Sequence, residues 1–214
     1  MFKNISKHPY FALHFSVLLF GFTAILGALI HVHAIALVWW RVLITFGVYL
    51  LFFKKGWSFY RPRRNDVFGI AIIGLFLALH WLCFYWAIQI SNASVAVIGM
   101  STTAFFTSLI EPLISRKKIS LADVFLSIMT ILGVYLIVNH LDYGLTSGFW
   151  MGILAALLSA AFTVLNKKYT NFVPLYPLTF MQIFACFIVI SILAIFYFPP
   201  DLQFLPQGKD WLYL

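Results

Sequence analysis

Arg41 and His80 are the side chains whose chemistry fits least with their surroundings. The stretch "VWWRVLITFG" carries a guanidinium that keeps its proton into an apolar run, and "GLFLALHWLCFYW" carries an imidazole that titrates near neutrality into another. An ionisable group in such a run marks either a binding site or a structural anchor. Small hydroxyls and aromatics recur around these two: Thr23, Trp81, Tyr85, Ser101, Thr102, Thr103, Ser159 and Thr163. Such residues suit a pocket for an amphipathic solute, with Arg41 placed to hold a carboxylate or to lock a helix in one state. Each also has a structural reading. Arg41 could snorkel toward headgroups, His80 could donate one hydrogen bond to a neighbouring helix, and the hydroxyls could bond to backbone.

The runs that hold these residues fix their solvent. Of 214 residues, 63% are hydrophobic, 19% aromatic and 9% charged, whereas soluble domains carry about 25% charged residues. Seven apolar runs fall at about 9 to 30, 34 to 53, 67 to 90, 92 to 114, 119 to 140, 147 to 166 and 178 to 198. Each is near the roughly 20 residues that cross hydrocarbon as a helix. Helices are expected because lipid offers no partners to backbone amides, and the runs are too continuous for the alternation of a membrane barrel. The expected fold is an all-α, polytopic membrane helix bundle of about seven spans. A secretory signal at the first run is disfavoured, because its apolar stretch is too long.

Basic residues set the expected orientation. Lys3 and Lys7, Lys54 to Arg64, Arg116 to Lys118, and Lys167 with Lys168 fall at alternate helix ends, which puts 12 of the 14 Lys and Arg on one side. That side is expected to be the cytoplasm, with the N-terminus there, in a multi-pass protein of the cytoplasmic membrane. The net charge of +8 is then an orientation signal, not a nucleic-acid footprint. Cys83 and Cys186 lie inside spans without metal-ligand spacing and read as packing residues. No phosphate-binding, serine-hydrolase or zinc-protease motif occurs. No metal or cofactor and no catalytic residue is expected. An intramembrane enzyme using His80 or His14 as base remains a minor alternative, because no nucleophile or metal set lies at matching depth.

Depth sorts the polar residues. At about 1.5 Å per residue, Arg41 lies about 10 Å below the outer boundary and Glu111 about 28 Å below it, so the two cannot pair. Glu111 is expected to meet Arg116 or the adjacent lysines. His80, about 20 Å above the inner boundary, falls at the level of Arg41 in a core about 30 Å thick. His80 and Phe84 share one helix face and Trp81 and Tyr85 another, so not all four can line one cavity.

A shift of 140 residues pairs Leu18 with Leu158, Phe22 with Phe162 and Thr23 with Thr163. The unit contains five spans, an odd number, so a second copy would be inverted. The expected division is a complete five-helix repeat at 1–140 and an incomplete second repeat at 141–214. "GKDWLYL" then reads as the lead into a further helix. The GxxxG match Gly148 to Gly152 could mark a close helix contact or a dimer seam, and a homodimer is an expected partner. Trp39, Trp40, Trp57 and Trp150 read as an interfacial belt.

The pattern resembles the EamA-like branch of the drug/metabolite transporter (DMT) superfamily. The residues that carry the resemblance are "WWRVLI" early in the second span, "GLFLALHWLCFYWAIQISNASVAVI" with its minimal turn, and "LIEPLISRKK" closing the fourth span. To these are added the small-residue sixth span "GILAALLSAAFTVLNKK" and Gln182 in "LTFMQIF". The resemblance implies ten helices in two inverted repeats and transport of a small organic metabolite or amphipathic compound by alternating access, with export the expected direction. The expected partners are that solute and the lipid bilayer. Against the family pattern, the last three helices are absent, which leaves a truncated or degenerate fragment without independent transport as the alternative. The fourth span also lacks a central proline, since "MSTTAFFTSL" has none, and a helix break there is accordingly not expected.

Overall fold

The computed structural model describes residues 9–51, 62–116, 120–139 and 142–214. All of its regular structure is helical, and seven helices among the described residues are long and apolar enough to cross a membrane. The basic residues Lys3, Lys7, Lys54, Lys55, Arg61, Lys117 and Lys118 used for orientation lie outside the described residues, as does Trp57.

The spans are α1 (Pro9–Ala28), α2 (Ala34–Leu51), α3 (Arg64–Ile90), the pair α4 (Ala93–Met100) and α5 (Thr103–Ser115), α6 (Leu121–Val138), α7 (Thr146–Tyr169) and α8 (Leu175–Tyr197). A short α9 covers Asp210–Tyr213. α3 takes in Arg64, Asn65 and Asp66 and reaches 27 residues. At about 1.5 Å per residue it exceeds a hydrocarbon core of about 30 Å, so it tilts or projects beyond it.

Contacts define two ends of the bundle. At one end, which we call the Asn92 end, the Gln89 side chain bridges the α1–α2 turn. Its Oε1 accepts from the Ala34 amide at 2.8 Å and its Nε2 donates to the Val32 carbonyl at 2.7 Å. The first amide of α2 is thereby capped. Asn92 caps α4 by accepting from the Val95 amide at 2.9 Å. The chain after α8 returns to the same end, where Trp40 donates to the Phe204 carbonyl at 3.0 Å and His31 meets Asp210 at 3.2 Å. At the other end, which we call the Glu111 end, Tyr176 at the start of α8 donates to the Tyr49 carbonyl near the end of α2.

Lipid gives helices no hydrophobic reason to associate, so close packing of small residues must do much of the work. The buried positions follow that rule: Ala34, Ala36, Ala78, Ala87, Ala96, Ala155, Ala156 and Ala160 are fully covered, mainly along α3, α4 and α7. Gly99 and Gly152 let α4 and α7 meet backbone to backbone. A Cβ on Gly99 would lie 2.8 Å from the Phe149 carbonyl oxygen, and one on Gly152 would lie 2.9 Å from that of Ala96. Gly148 is also closed in, since its Cβ would meet the Ser91 side chain and lie 3.0 Å from the Ala87 carbonyl oxygen. The GxxxG face is therefore occupied within the chain. A second, aromatic seam joins α2 to α8, where Phe46 packs on Phe180, Phe184 and Phe187 with centroids 5.5 to 5.8 Å apart. Trp39 sits in this seam and donates to Ser191 at 3.0 Å, so it serves packing more than a belt, while Trp150 is exposed.

The fourth span corrects one expectation: it breaks at Ser101 and Thr102 without a proline. Three consecutive hydroxyls turn back on the preceding turn. Ser101 donates to the Ile98 carbonyl at 2.7 Å, Thr102 to that of Gly99 at 2.7 Å, and Thr103 to that of Met100 at 2.6 Å. Such local bonds compete with the helical ladder, and the Thr102 amide tightens to an i−3 bond with Gly99 at 3.2 Å. Proline was the wrong signal; the run "STT" was the relevant one.

Candidate solute-binding site

The Arg41 side chain points into a cavity of about 250 Å³ lined by Phe20, Thr23, Arg41, Ile44, Thr45, Trp81, Tyr85 and Leu214. Three helices supply its polar groups at matching depth. Arg41 is seven residues into α2, and Thr23 and Tyr85 are each five residues from the ends of α1 and α3 at the same end of the bundle. All three therefore lie about 7 to 11 Å inside the Asn92 end.

The guanidinium is held by neutral acceptors. Nη1 donates to the Tyr85 hydroxyl, and Nη2 donates to the Tyr213 carbonyl at 3.1 Å. Its Cζ stands 4.8 Å from the centre of the Tyr85 ring, within cation–π range. Nε is buried and has no acceptor. The ion pairs found among the described residues, His31 with Asp210 and Lys167 with Glu111, do not involve Arg41.

Thr23 lines the same cavity, and its hydroxyl donates to the Phe20 carbonyl at 2.7 Å. The Tyr85 hydroxyl accepts from Arg41. Thr45, one turn on from Arg41, donates to the Arg41 carbonyl at 2.8 Å.

This cavity unites Arg41, Thr23, Trp81 and Tyr85 of the residues expected from sequence and leaves out His80, Ser101, Thr102, Thr103, Ser159 and Thr163. His80 is on the opposite face of α3, where Nδ1 meets the Ala155 carbonyl of α7 at 2.8 Å and the ring packs near Phe84. It is also ten residues from the end of α3, about 15 Å in, so it sits deeper than Arg41. Ser101 and Thr102 bond at the kink; Ser159 is half-buried on α7 and Thr163 is exposed. Phe20, Ile44 and Thr45 were not singled out by sequence. Thr45 had a usable signal, its i+4 spacing from Arg41.

Two further groups were clear of the cavity. Glu111 pairs with Lys167 of α7 at 2.6 Å, a partner brought close because α7 runs alongside α5. Lys117 and Lys118, among the expected partners, lie outside the described residues. Cys186 is buried and Cys83 half-buried, both free thiols, and no metal-binding group forms among the described residues.

Residues 9–139, more than half of the chain, match the EamA-like transporter family. The chain belongs to that family. DMT superfamily membership follows from it, and with the seven apolar helices it makes this a multi-pass membrane protein of a transporter family. One solved structure, described as a crystal structure of a protein, is similar to this EamA-like chain at a TM-score of 0.59. The likeness covers 92% of this chain and 72% of the other at 19% identity, and it bears on the fold alone. No curated protein matches the chain.

Proposed function

We propose that this EamA-like protein moves a small organic solute across the cytoplasmic membrane by alternating access, outward from the cell, with Arg41, Tyr85, Thr23 and Trp81 forming the solute site. The observation that carries the reading is a charged guanidinium facing a cavity inside apolar spans, held by Tyr85 yet given only neutral acceptors. At about 250 Å³ the cavity is just below the roughly 300 Å³ at which drug-sized pockets begin, which fits a small metabolite.

Alternating access needs one part that holds and one that moves. α4 is held to α7 through Gly99 and Gly152, and α5 continues beyond the "STT" kink to the Glu111–Lys167 pair. α5 is the mobile half in this reading: swinging about Ser101–Thr103, it gives up its packing on α7 and opens the Glu111 end when that pair separates. Residues 1–140 and 141–214 act as the two repeats, in opposite orientation, with the N-terminus in the cytoplasm as the basic residues indicate.

Liposomes carrying the purified protein test this. Counterflow of a preloaded solute should be lost in Arg41→Gln and kept in His80→Gln, with both variants folded. Equal flux in wild type and Arg41→Gln sinks the site; loss of flux only in His80→Gln moves it to the other face of α3.

A further inference from the structure

We infer that the solute is an organic anion, a carboxylate or similar group on an apolar body, and that Arg41 is the residue that selects for it; this deepens the reading above and rests on it. The charge balance carries the argument. Arg41 cannot lose its proton, and the acceptors it touches, the Tyr85 hydroxyl and the Tyr213 carbonyl, contribute dipoles and no charge. Nε has no acceptor at all. Asp210, the acid of the nearby α9, is turned to His31 through Oδ1. No side-chain carboxylate among the described residues is shown paired with the guanidinium, and the open space beside it, which Leu214 also lines, is where an anion would come.

The walls describe the rest of the guest. Phe20, Ile44, Trp81 and Tyr85 are apolar or aromatic, and the hydroxyls of Thr23 and Thr45 already donate to backbone carbonyls. Neither threonine offers a free donor, so a polyhydroxylated solute would lose more hydrogen bonds on entry than it gains. A cation is excluded by like charge. A planar carboxylate matches the guanidinium fork, and an apolar body fills the space against Trp81.

The same anionic chemistry could come from a phospholipid headgroup reaching down to Arg41, so the test separates the two sources. Thermal unfolding of the purified protein in detergent is followed while 3-phenylpropionate, indole-3-acetate or hexanoate is added, each beside its neutral amide, and separately while phosphatidylglycerol is added. The expected result is a saturable rise in Tm with at least one carboxylate, none with the amides, and an affinity about ten- to a hundred-fold weaker in Arg41→Gln, the loss usual for a charge-assisted contact. Arg41→Lys keeps the charge and loses the fork; it should retain part of the affinity and serves in place of Arg41→Gln if that variant does not fold.

Stabilisation by the amides equal to that by the acids overturns the proposal, as does the absence of a rise with every carboxylate. A rise that phosphatidylglycerol alone produces, and that Arg41 variants lose, makes the occupant a lipid and overturns it as well. Counterflow with the same compounds keeps the two readings apart: carboxylate binding without counterflow sinks the transport reading alone, and Arg41-dependent counterflow of the amides sinks the anion reading alone.

Discussion

Replacing Gly152 by alanine should unfold this protein at lower temperature, whereas the same change at Gly133 should not, although both glycines are inside transmembrane helices. The contrast follows from what a single methyl group would meet. At Gly152 an added Cβ lies 2.9 Å from the Ala96 carbonyl oxygen and 3.3 Å from Gly99 Cα, and ordinary contact begins at 3.4 Å, so α4 and α7 must separate by 0.5 Å. The neighbours are backbone atoms and cannot rotate aside. Overpacking of this kind costs about 1 to 3 kcal/mol. At Gly133 nothing lies within 4 Å, and alanine gains the about 0.5 to 1 kcal/mol that glycine loses in a helix. The two variants should therefore differ by about 1.5 to 4 kcal/mol, or at least about 3 °C in Tm for a chain of this size. Gly99→Ala on its own should behave like Gly152→Ala. Combined with it, the second change should cost less than the first, because the helices are already apart. Thermal unfolding in one detergent, read by monodisperse protein remaining after heating, makes the comparison. Equal Tm values for Gly152→Ala and Gly133→Ala would refute the backbone contact between α4 and α7.

The remaining expectations concern single side chains. His80→Ala should lower stability by about 0.6 to 2 kcal/mol through loss of its interhelical bond to Ala155, measured by the same unfolding, with solute flux retained. Glu111→Gln should change stability by no more than about 1 kcal/mol, since the pair is partly exposed, but should raise labelling of cysteines placed in the Glu111 end; exchanging the charges, Glu111→Lys with Lys167→Glu, should restore protection. Burial lowers the pKa of His33, just before α2, from its ordinary value of 6.5. The unfolded chain then binds the proton first, so stability is complete above about pH 6.5 and falls as the pH drops through that value toward the lower folded pKa. A Tm-against-pH curve for His33→Phe should be flatter there than for wild type; an unchanged slope would remove His33 from the account.

The fold was legible because its solvent imposes one solution. Once the spans are apolar and continuous, backbone pairing leaves only helices, and the seven runs agree with the seven helices to within a few residues at most ends. What was not legible depended on direction about a helix axis and on partners distant in sequence. Depth arithmetic excluded Glu111 as the partner of Arg41, and Glu111 meets Lys167 instead. It placed His80 level with Arg41, whereas His80 lies about 15 Å from the Asn92 end and points to α7. The interruption of the fourth span coincides with three adjacent hydroxyls bonded back to the preceding turn, a local pattern that does not involve proline. Lys167 as the partner of Glu111 needed the packing of α5 on α7, which no local pattern encodes.

The two faces of α3 show how the helix divides its work. Trp81 and Tyr85 are four apart and line the cavity with Arg41, while His80 and Phe84, also four apart, face away, with His80 meeting α7 through an interhelical bond. Both polar groups have neutral protein acceptors, but only the cavity side holds a guanidinium that those dipoles do not neutralise. That difference is what a reversible site requires. A resident carboxylate beside Arg41 would have to be displaced by every incoming anion, and the exchange would return little net energy. Tyr85 instead holds the guanidinium with its ring and with a hydrogen bond that does not neutralise it. Tyr85→Phe therefore tests orientation apart from charge: it keeps the stacked ring and the positive group, and should weaken anion binding less than Arg41→Gln does. If the two losses were equal, the hydrogen bond and not the charge would govern the site.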